Sequence, residues 1–92
     1  MFSTEELAAL DCSYFSVICA DAYDVIIMSK NTGHVWFIHN LEPGSCIIFH
    51  KHRVSDQYHT HGRSNTMARA IRSIKSHDQF QLNGRRHVRK KR

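Results

Sequence analysis

The sequence predicts an α+β fold: a four-stranded antiparallel β-meander with a C-terminal α-helix and a short N-terminal helix. Between residues 14 and 52, four segments rich in β-branched and aromatic residues follow one another. The connections between them are short, which favours antiparallel neighbours because parallel strands need long crossovers. Residues 66–77 then carry apolar side chains at helical spacing.

The N-terminal segment Ser3–Leu10 has the pattern of a short helix. Ser3 followed by Glu6 fits a capping box, and the acids of the first turn suit the helix dipole. A helix this short is marginal on its own. We therefore expect it to pack against the rest of the domain.

Turn signals separate the predicted strands. Asn31-Thr32-Gly33 supplies a glycine for a positive φ, and Pro43-Gly44 is the strongest turn signal in the chain. The strands are predicted at Tyr14–Cys19, Val25–Lys30, His34–His39 and Cys46–His52. If the turn at Pro43-Gly44 pairs Ile38 with Ile48, a histidine cluster forms at one end of one sheet face. Its members are His34, His50 and His52.

Neither face of the predicted sheet is clearly polar. We expect one face to carry Trp36, Ile38, Ile26 and Met28, and the other to carry Val35, Phe37, Ile27 and Phe49. A single helix covers only one of them. The second face needs the N-terminal helix, a partner chain, or both.

The C-terminal half begins with a predicted polar loop at Arg53–Arg63. Ser64-Asn65-Thr66 then offers N-caps for a helix over Thr66–His77. Its buried stripe is predicted to consist of Met67, Ala70, Ile71 and Ile74. Asn83-Gly84 ends the fold, so residues 1–84 are predicted to form one domain and residues 85–92 a basic, flexible tail.

Charge is divided unevenly along the chain. Residues 1–50 carry one lysine and six acids, a net −5, whereas residues 51–92 carry twelve Lys and Arg and two acids, a net +10. This split predicts an anionic partner, protein, nucleoprotein or nucleic acid, for the basic half. The predicted contacts are Arg69, Arg72, Lys75, Arg85, Arg86, Arg89, Lys90, Lys91 and Arg92. The alternative is a solvated helix face with a solubilising tail.

Aromatic side chains could add base stacking to such an interface. The candidates are Tyr14, Trp36, Phe37 and Tyr58, although alternating aromatics on strands more often belong to a core. The apolar runs are far shorter than the ~20 residues that span a bilayer, and no basic segment opens the chain. Three cysteines, an odd number, argue against a disulfide scaffold. We therefore expect a cytoplasmic protein without a membrane partner, for which a homo-oligomer is an open alternative.

The stretch Cys46–His61 concentrates the chemistry. It holds two His-x-His pairs, His50/His52 and His59/His61, with Cys46 four residues before the first. Imidazole and thiolate are ligands that zinc prefers. These five residues predict a zinc site, with His34 and His77 as reserve ligands. The alternative is that they are ordinary polar positions on a sheet edge and a loop.

Two resemblances bear on function. His52, Asn65 and His77 stand in an order similar to that of HNH or ββα-metal nucleases, which would imply a metal-dependent nuclease. In size, His/Cys cluster and charge split, the chain resembles small phage and mobile-element proteins, including zinc-binding anti-CRISPR inhibitors. That resemblance implies a non-enzymatic protein that docks on a nucleoprotein machine such as a Cas nuclease. We favour this function, with direct nucleic-acid binding and the nuclease as alternatives.

Overall fold

A computed structural model describes residues 1–42 and 45–84. In this part of the chain, one antiparallel sheet has the strand order β1-β2-β3-β4-β5. The elements are α1 (Thr4–Ala8), β1 (Phe15–Ala20), β2 (Asp24–Ser29), β3 (Val35–Glu42), β4 (Ser45–Lys51), β5 (His59–Ser64) and α2 (Met67–Leu82). The predicted α+β class, with an antiparallel sheet and a C-terminal helix, is confirmed. The predicted turn at Pro43-Gly44 and the predicted basic tail at 85–92 lie outside the described residues.

The fifth strand falls where the sequence predicts a polar loop, so the expected number of four strands was wrong. β5 has the sequence HTHGRS and pairs along β4 from Cys46↔Ser64 to His50↔His59. It lacks the apolar alternation that marks a strand, because histidines occupy its helix-facing side and Thr60 and Arg63 are exposed. Backbone pairing with β4 therefore defines this edge strand.

The register of β3 on β4 is the predicted one, with Ile38 opposite Ile48. The two faces of β2 were predicted the wrong way round. Ile27 pairs with Trp36, and Ile26 with Phe37, so Ile27 lies on the face of Trp36 and Ile26 on the opposite one. A shift of one residue exchanges the two faces of a strand, and the sequence fixes no register for the Asn31–Gly33 turn. Gly33 has the expected positive φ, 77°.

The hydrophobic core lies between one face of the sheet and both helices. It comprises Phe2, Leu10, Phe15, Val25, Ile27, Trp36, Ile38, Cys46, Ile48, Met67, Ala70 and Ile74. At its centre Trp36 is fully buried, and its indole Nε1 donates to the buried Ser29 Oγ at 3.1 Å. Both helices pack on this face, so neither covers the opposite one.

Glu6 joins the two helices. The predicted capping box of α1 is present: Ser3 Oγ accepts from Glu6 N at 3.0 Å, and Glu6 Oε1 accepts from Ser3 N at 2.9 Å. The second carboxylate oxygen accepts from the backbone N–H of Met67, the first residue of α2, at 3.4 Å. The hydrogen bond from the Ser3 backbone is the largest of the effects that lower the pKa of Glu6.

We expect Glu6→Ala to lower the free energy of unfolding by about 1–2 kcal/mol, since it removes the side-chain half of the capping box, the bond to Ser3 N, and the bond to the first residue of α2. Urea denaturation of the variant and the parent protein measures this difference. Glu5→Ala is the matched control, because Glu5 is exposed in the same helical turn. Equal losses in the two variants would contradict the bridging role of Glu6.

The C-terminal helix continues past the predicted end at His77 as far as Leu82. The next position of its buried stripe after Ile74 is Asp78, a charged residue with no exposed surface. Its carboxylate accepts from Tyr14 Oη at 2.7 Å and from Thr32 Oγ1 at 3.0 Å. The helix was predicted to end before Asp78 because an apolar residue was expected at that position. A carboxylate can be buried there when it has such hydrogen-bond partners. Over residues 1–42 and 45–84, no helix combines the length and the apolar character that crossing a membrane requires.

Candidate metal centre

Histidine rings converge on the helix side of the sheet, around Trp36. Six of the eight histidines make ring contacts there: His34, His50, His52, His59, His61 and His77. They come from the residue before β3, from β4 and the residue after it, from β5 and from α2. The tertiary fold thus assembles a cluster from four separate parts of the chain.

His50 is the centre of this cluster. It is 1% exposed and stacks on Trp36 with ring centroids 4.1 Å apart. Its Nε2 lies 3.0 Å from His34 Nδ1, and its Nδ1 lies 3.2 Å from His59 Nε2. A neutral imidazole has one donor and one acceptor nitrogen. His50 therefore donates to one of these histidines and accepts from the other.

The protonation state of His50 suits metal binding. Burial, and next the nearby His77, lower the pKa of His50 to about 3. The ring is therefore neutral at neutral pH, which is the form that binds a metal ion. Burial also lowers the pKa of His61.

Three rings of the cluster can share one metal ion. One ring nitrogen each from His34, His50 and His52 lies within 4.8 Å of the others. The rings of His34 and His52 are stacked, with centroids 4.5 Å apart and planes 6° apart. Nitrogen ligands at about 2.05 Å from a tetrahedral zinc ion are roughly 3.3 Å apart. Side-chain rotations that move the nitrogens by roughly an ångström would reach that spacing, and the exposed His52 is free to make them.

His59 holds His50 in the orientation such a site needs. If His50 Nδ1 carries the proton and donates to His59 Nε2, its Nε2 is left with a lone pair that points towards His34. Metal-bound histidines commonly donate their other ring N–H to a fixed acceptor. In that tautomer, His59 accepts from His50 Nδ1 and orients its ring.

A β-bulge places His61 on the same side of the sheet. The pairing of β4 with β5 shifts between Ile48↔Gly62 and Phe49↔Thr60, which leaves His61 as the extra residue. Its ring centroid lies 5.1 Å from that of Trp36, and its Nε2 lies 3.3 Å from Ser73 Oγ. Bulges often redirect a side chain near a functional site. Here the bulge turns His61 towards α2.

The structure gathers some of the predicted ligands and separates another. His50 and His52 are in the three-histidine group, joined by the reserve ligand His34, as the Ile38↔Ile48 register predicts. Cys46 faces the same side, but four residues along a strand place it about 13 Å from His50. It is buried in the core, and burial raises the pKa of its thiol. The reserve ligand His77 packs edge-on to His50, with ring centroids 4.8 Å apart.

No family model, curated protein or solved structure matches this chain. The assignment of the site therefore depends on the chain's own geometry.

The residues of the nuclease resemblance are not brought together. Asn65 follows Ser64, which pairs with Cys46, whereas His52 lies beyond the other end of β4. About six residues of strand, roughly 20 Å, separate the two ends. The cluster thus contains His52 and His77 without Asn65.

The predicted partner-binding residues differ in their surroundings. Arg69 and Arg72 are exposed on α2. Lys75 is half-buried: its Nζ donates to Asp11 Oδ2 at 2.9 Å and lies 4.8 Å from the centre of the Tyr14 ring. The six predicted contacts between Arg85 and Arg92 lie outside the described residues. Among the aromatic candidates, Trp36 has no exposed surface with which to stack on a base.

Proposed function

We propose that this protein binds a divalent first-row transition-metal ion through His34, His50 and His52. The observation that supports the proposal is the approach of their ring nitrogens to within 4.8 Å of one another. Imidazole suits zinc, copper, nickel and iron, whereas magnesium and calcium prefer oxygen ligands. Zinc, the ion predicted from the sequence, belongs to the first class.

The bound ion would link two segments of the fold and keep one coordination position free. It would join the segment before β3 to the end of β4, and such a link adds its binding free energy to the stability of the fold. Three histidines leave one position of a tetrahedral ion for water or for a donor atom of a partner. The exposed His52 lies on the solvent side of the group. We therefore favour a binding protein whose metal is accessible at its surface.

Titration of the untagged, chelator-treated protein tests this proposal. We expect about one zinc ion per chain by calorimetry, a rise in the melting temperature, and visible absorption typical of tetrahedral coordination when cobalt(II) replaces zinc. Magnesium serves as the control ion and should produce none of these changes. A protein that takes up neither zinc nor cobalt at the histidine cluster would contradict the proposal.

A second proposal is the docking on an anionic nucleoprotein that the anti-CRISPR resemblance implies. The observation that favours it is the exposure of Arg69 and Arg72 on α2, where, within the described residues, neither forms an ion pair. The excess of positive charge over residues 51–92 points in the same direction.

We expect the double variant Arg69→Glu, Arg72→Glu to bind nucleic acid, or a Cas-type nucleoprotein, more weakly and with a shallower dependence on salt. Each lost phosphate contact should reduce the slope by roughly 0.7–0.9. Arg53→Glu, in the loop between β4 and β5, provides a control with an equally exposed arginine. Titrations at two salt concentrations measure the slope, and a slope unchanged in the double variant would assign these arginines to a solvated face.

A further inference from the structure

The sheet face opposite the helices, here called the outer face, is apolar where solvent exposure predicts polar side chains. An antiparallel sheet with one face in water normally alternates apolar and polar residues. Here the outward positions of the three central strands hold Ile26, Phe37, Ile47 and Phe49, all only partly buried. The Tyr58 ring, from the loop after β4, lies 5.8 Å from the Phe37 ring, yet all four side chains keep some exposed surface. A patch of this kind commonly marks an interface.

The pairing of the strands arranges the outer face in rows that run across the sheet. The middle row is Cys19, Ile26, Phe37, Phe49 and Thr60, each paired with the next. The rings of Phe37 and Phe49 are in contact, with centroids 5.5 Å apart. The centre of the outer face is therefore aromatic.

An adjacent row carries opposite charges at its two ends. It runs from Asp24 through His39 and Ile47 to Arg63. His39 Nδ1 lies 2.6 Å from Asp24 Oδ1, and both side chains keep about 40% of their surface exposed (42% and 41%). Arg63 is exposed on β5. The contact with His39 engages Oδ1 of Asp24, and the carboxylate remains partly exposed, so a carboxylate lies on β2 and a guanidinium on β5, on either side of the apolar centre.

The row on the other side of the centre carries a lysine that is already paired. Met28 pairs with Val35, and Val35 with Lys51. Lys51 Nζ donates to Val54 O at 3.0 Å and lies 4.3 Å from the centre of the Tyr58 ring. Lys51 is therefore engaged within its own chain, whereas Arg63, in the opposite row, forms no ion pair among the described residues.

We propose that the outer face binds the outer face of a second copy of this chain. The two-fold axis would run parallel to the strands. It would lie between the two outer faces, over the gap between β3 and β4. Rotation about it exchanges β2 with β5 and β3 with β4, so that Asp24 meets Arg63 of the second copy and Phe37 meets its Phe49. Two such ion pairs flank one apolar centre, and sheets packed in this way keep their strands roughly aligned, about 10 Å apart.

Charge complementarity selects this arrangement and this partner. An axis across the strands would exchange the two outer rows and place Asp24 over Met28 of the second copy, leaving a charge against an apolar side chain. The self-complementary order of Asp24 and Arg63 is what a two-fold interface requires, since the same patch serves both subunits. The inference is independent of the metal site, which lies on the opposite face.

Charge reversal tests the interface. The wild-type chain, of 10.7 kDa, should sediment at twice that mass, and Asp24→Arg or Arg63→Asp alone should weaken the dimer roughly tenfold or more through like-charge contacts. When the two variants are mixed, each introduced side chain faces an opposite charge on the other chain, at both ion pairs. Native mass spectrometry of the mixture should therefore show the heterodimer in preference to either homodimer.

A matched control keeps the outcome interpretable. Glu5→Arg reverses an exposed charge on the helix side and should leave the dimer unchanged, and circular dichroism checks that every variant folds. A monomeric wild-type protein overturns the proposal. So does a dimer that is insensitive to both reversals, or a mixture of folded variants that forms no heterodimer.

Discussion

Replacing His52 with alanine should weaken zinc binding roughly 100-fold or more. His52 is one of three nitrogen donors to the proposed ion, whereas His59 only orients His50. Loss of an orienting group typically costs 10–100-fold in metal affinity, so His59→Ala should fall in that range and His52→Ala should exceed it. Competition with a chromophoric chelator measures both affinities.

His52 is the informative ligand to replace because its side chain is exposed. His50→Ala should abolish binding as well, but it removes a buried ring that stacks on Trp36 and leaves a cavity. His39→Ala is the matched control, since His39 lies on the outer face with Asp24. If His52→Ala bound zinc as tightly as His39→Ala, the three-histidine site would be wrong.

Acidification should destabilise the metal-free protein well above the pH range in which carboxylates titrate. The pKa of His50 is about 3 in the folded chain against an ordinary value of 6.5. Between these values the unfolded state binds a proton that the folded state excludes, so stability falls as the pH is lowered through 6.5. Through His50 alone, the free energy of unfolding should fall by about 2 kcal/mol between pH 7 and pH 5. The pKa of His61, lowered by burial, adds to the loss.

The carboxylates act in a different pH window. A hydrogen bond from the Ser13 side chain is the main cause that lowers the pKa of Asp11 to about 2, and the pKa of Glu6 is also lowered. Their contributions are lost only below about pH 4.5. Urea denaturation at pH 7, 6 and 5 with a chelator present therefore isolates the histidines.

His50→Phe provides the matched control for this pH dependence. The substitution keeps a flat ring against Trp36 and removes the titrating group, so the curve should become shallower. Equal stability of the parent protein at pH 7 and pH 5 would show that protonation of His50 costs nothing in the fold.

Local rules were enough to predict the elements whose signals lie close together in the chain. The capping box of Ser3 and Glu6 needs only a three-residue spacing, and it is present. The turn signal at Pro43-Gly44 suggested the Ile38↔Ile48 register, which in turn predicted that His34, His50 and His52 meet. The candidate ligand group could thus be predicted from the register of one hairpin.

The missed features depend on contacts that join distant parts of the chain. β5 is a strand because β4 offers it a partner. Of its histidines, His61 packs on Trp36 and His59 packs on His50. Cys46 and His50 have a spacing that suits one face of a strand, yet the strand keeps them too far apart for a shared ion. Asp78 is accommodated in α2 by Tyr14, 64 residues away. Local sequence patterns do not indicate contacts of this kind.

The three proposed ligands all lie at the mouth of the β3–β4 hairpin, at the end away from its turn. An ion bound there would close the hairpin at its open end and hold β3 and β4 in register. Edge strand β1, with its own bulge between Val17 and Cys19, contributes no ligand and is separated from β4 by β2 and β3. Amide hydrogens at the β3–β4 ladder should therefore exchange more slowly with zinc present, while those of β1 keep their rates. A bound metal would therefore stabilise the β3–β4 pair against local unfolding and leave the local unfolding of β1 unchanged.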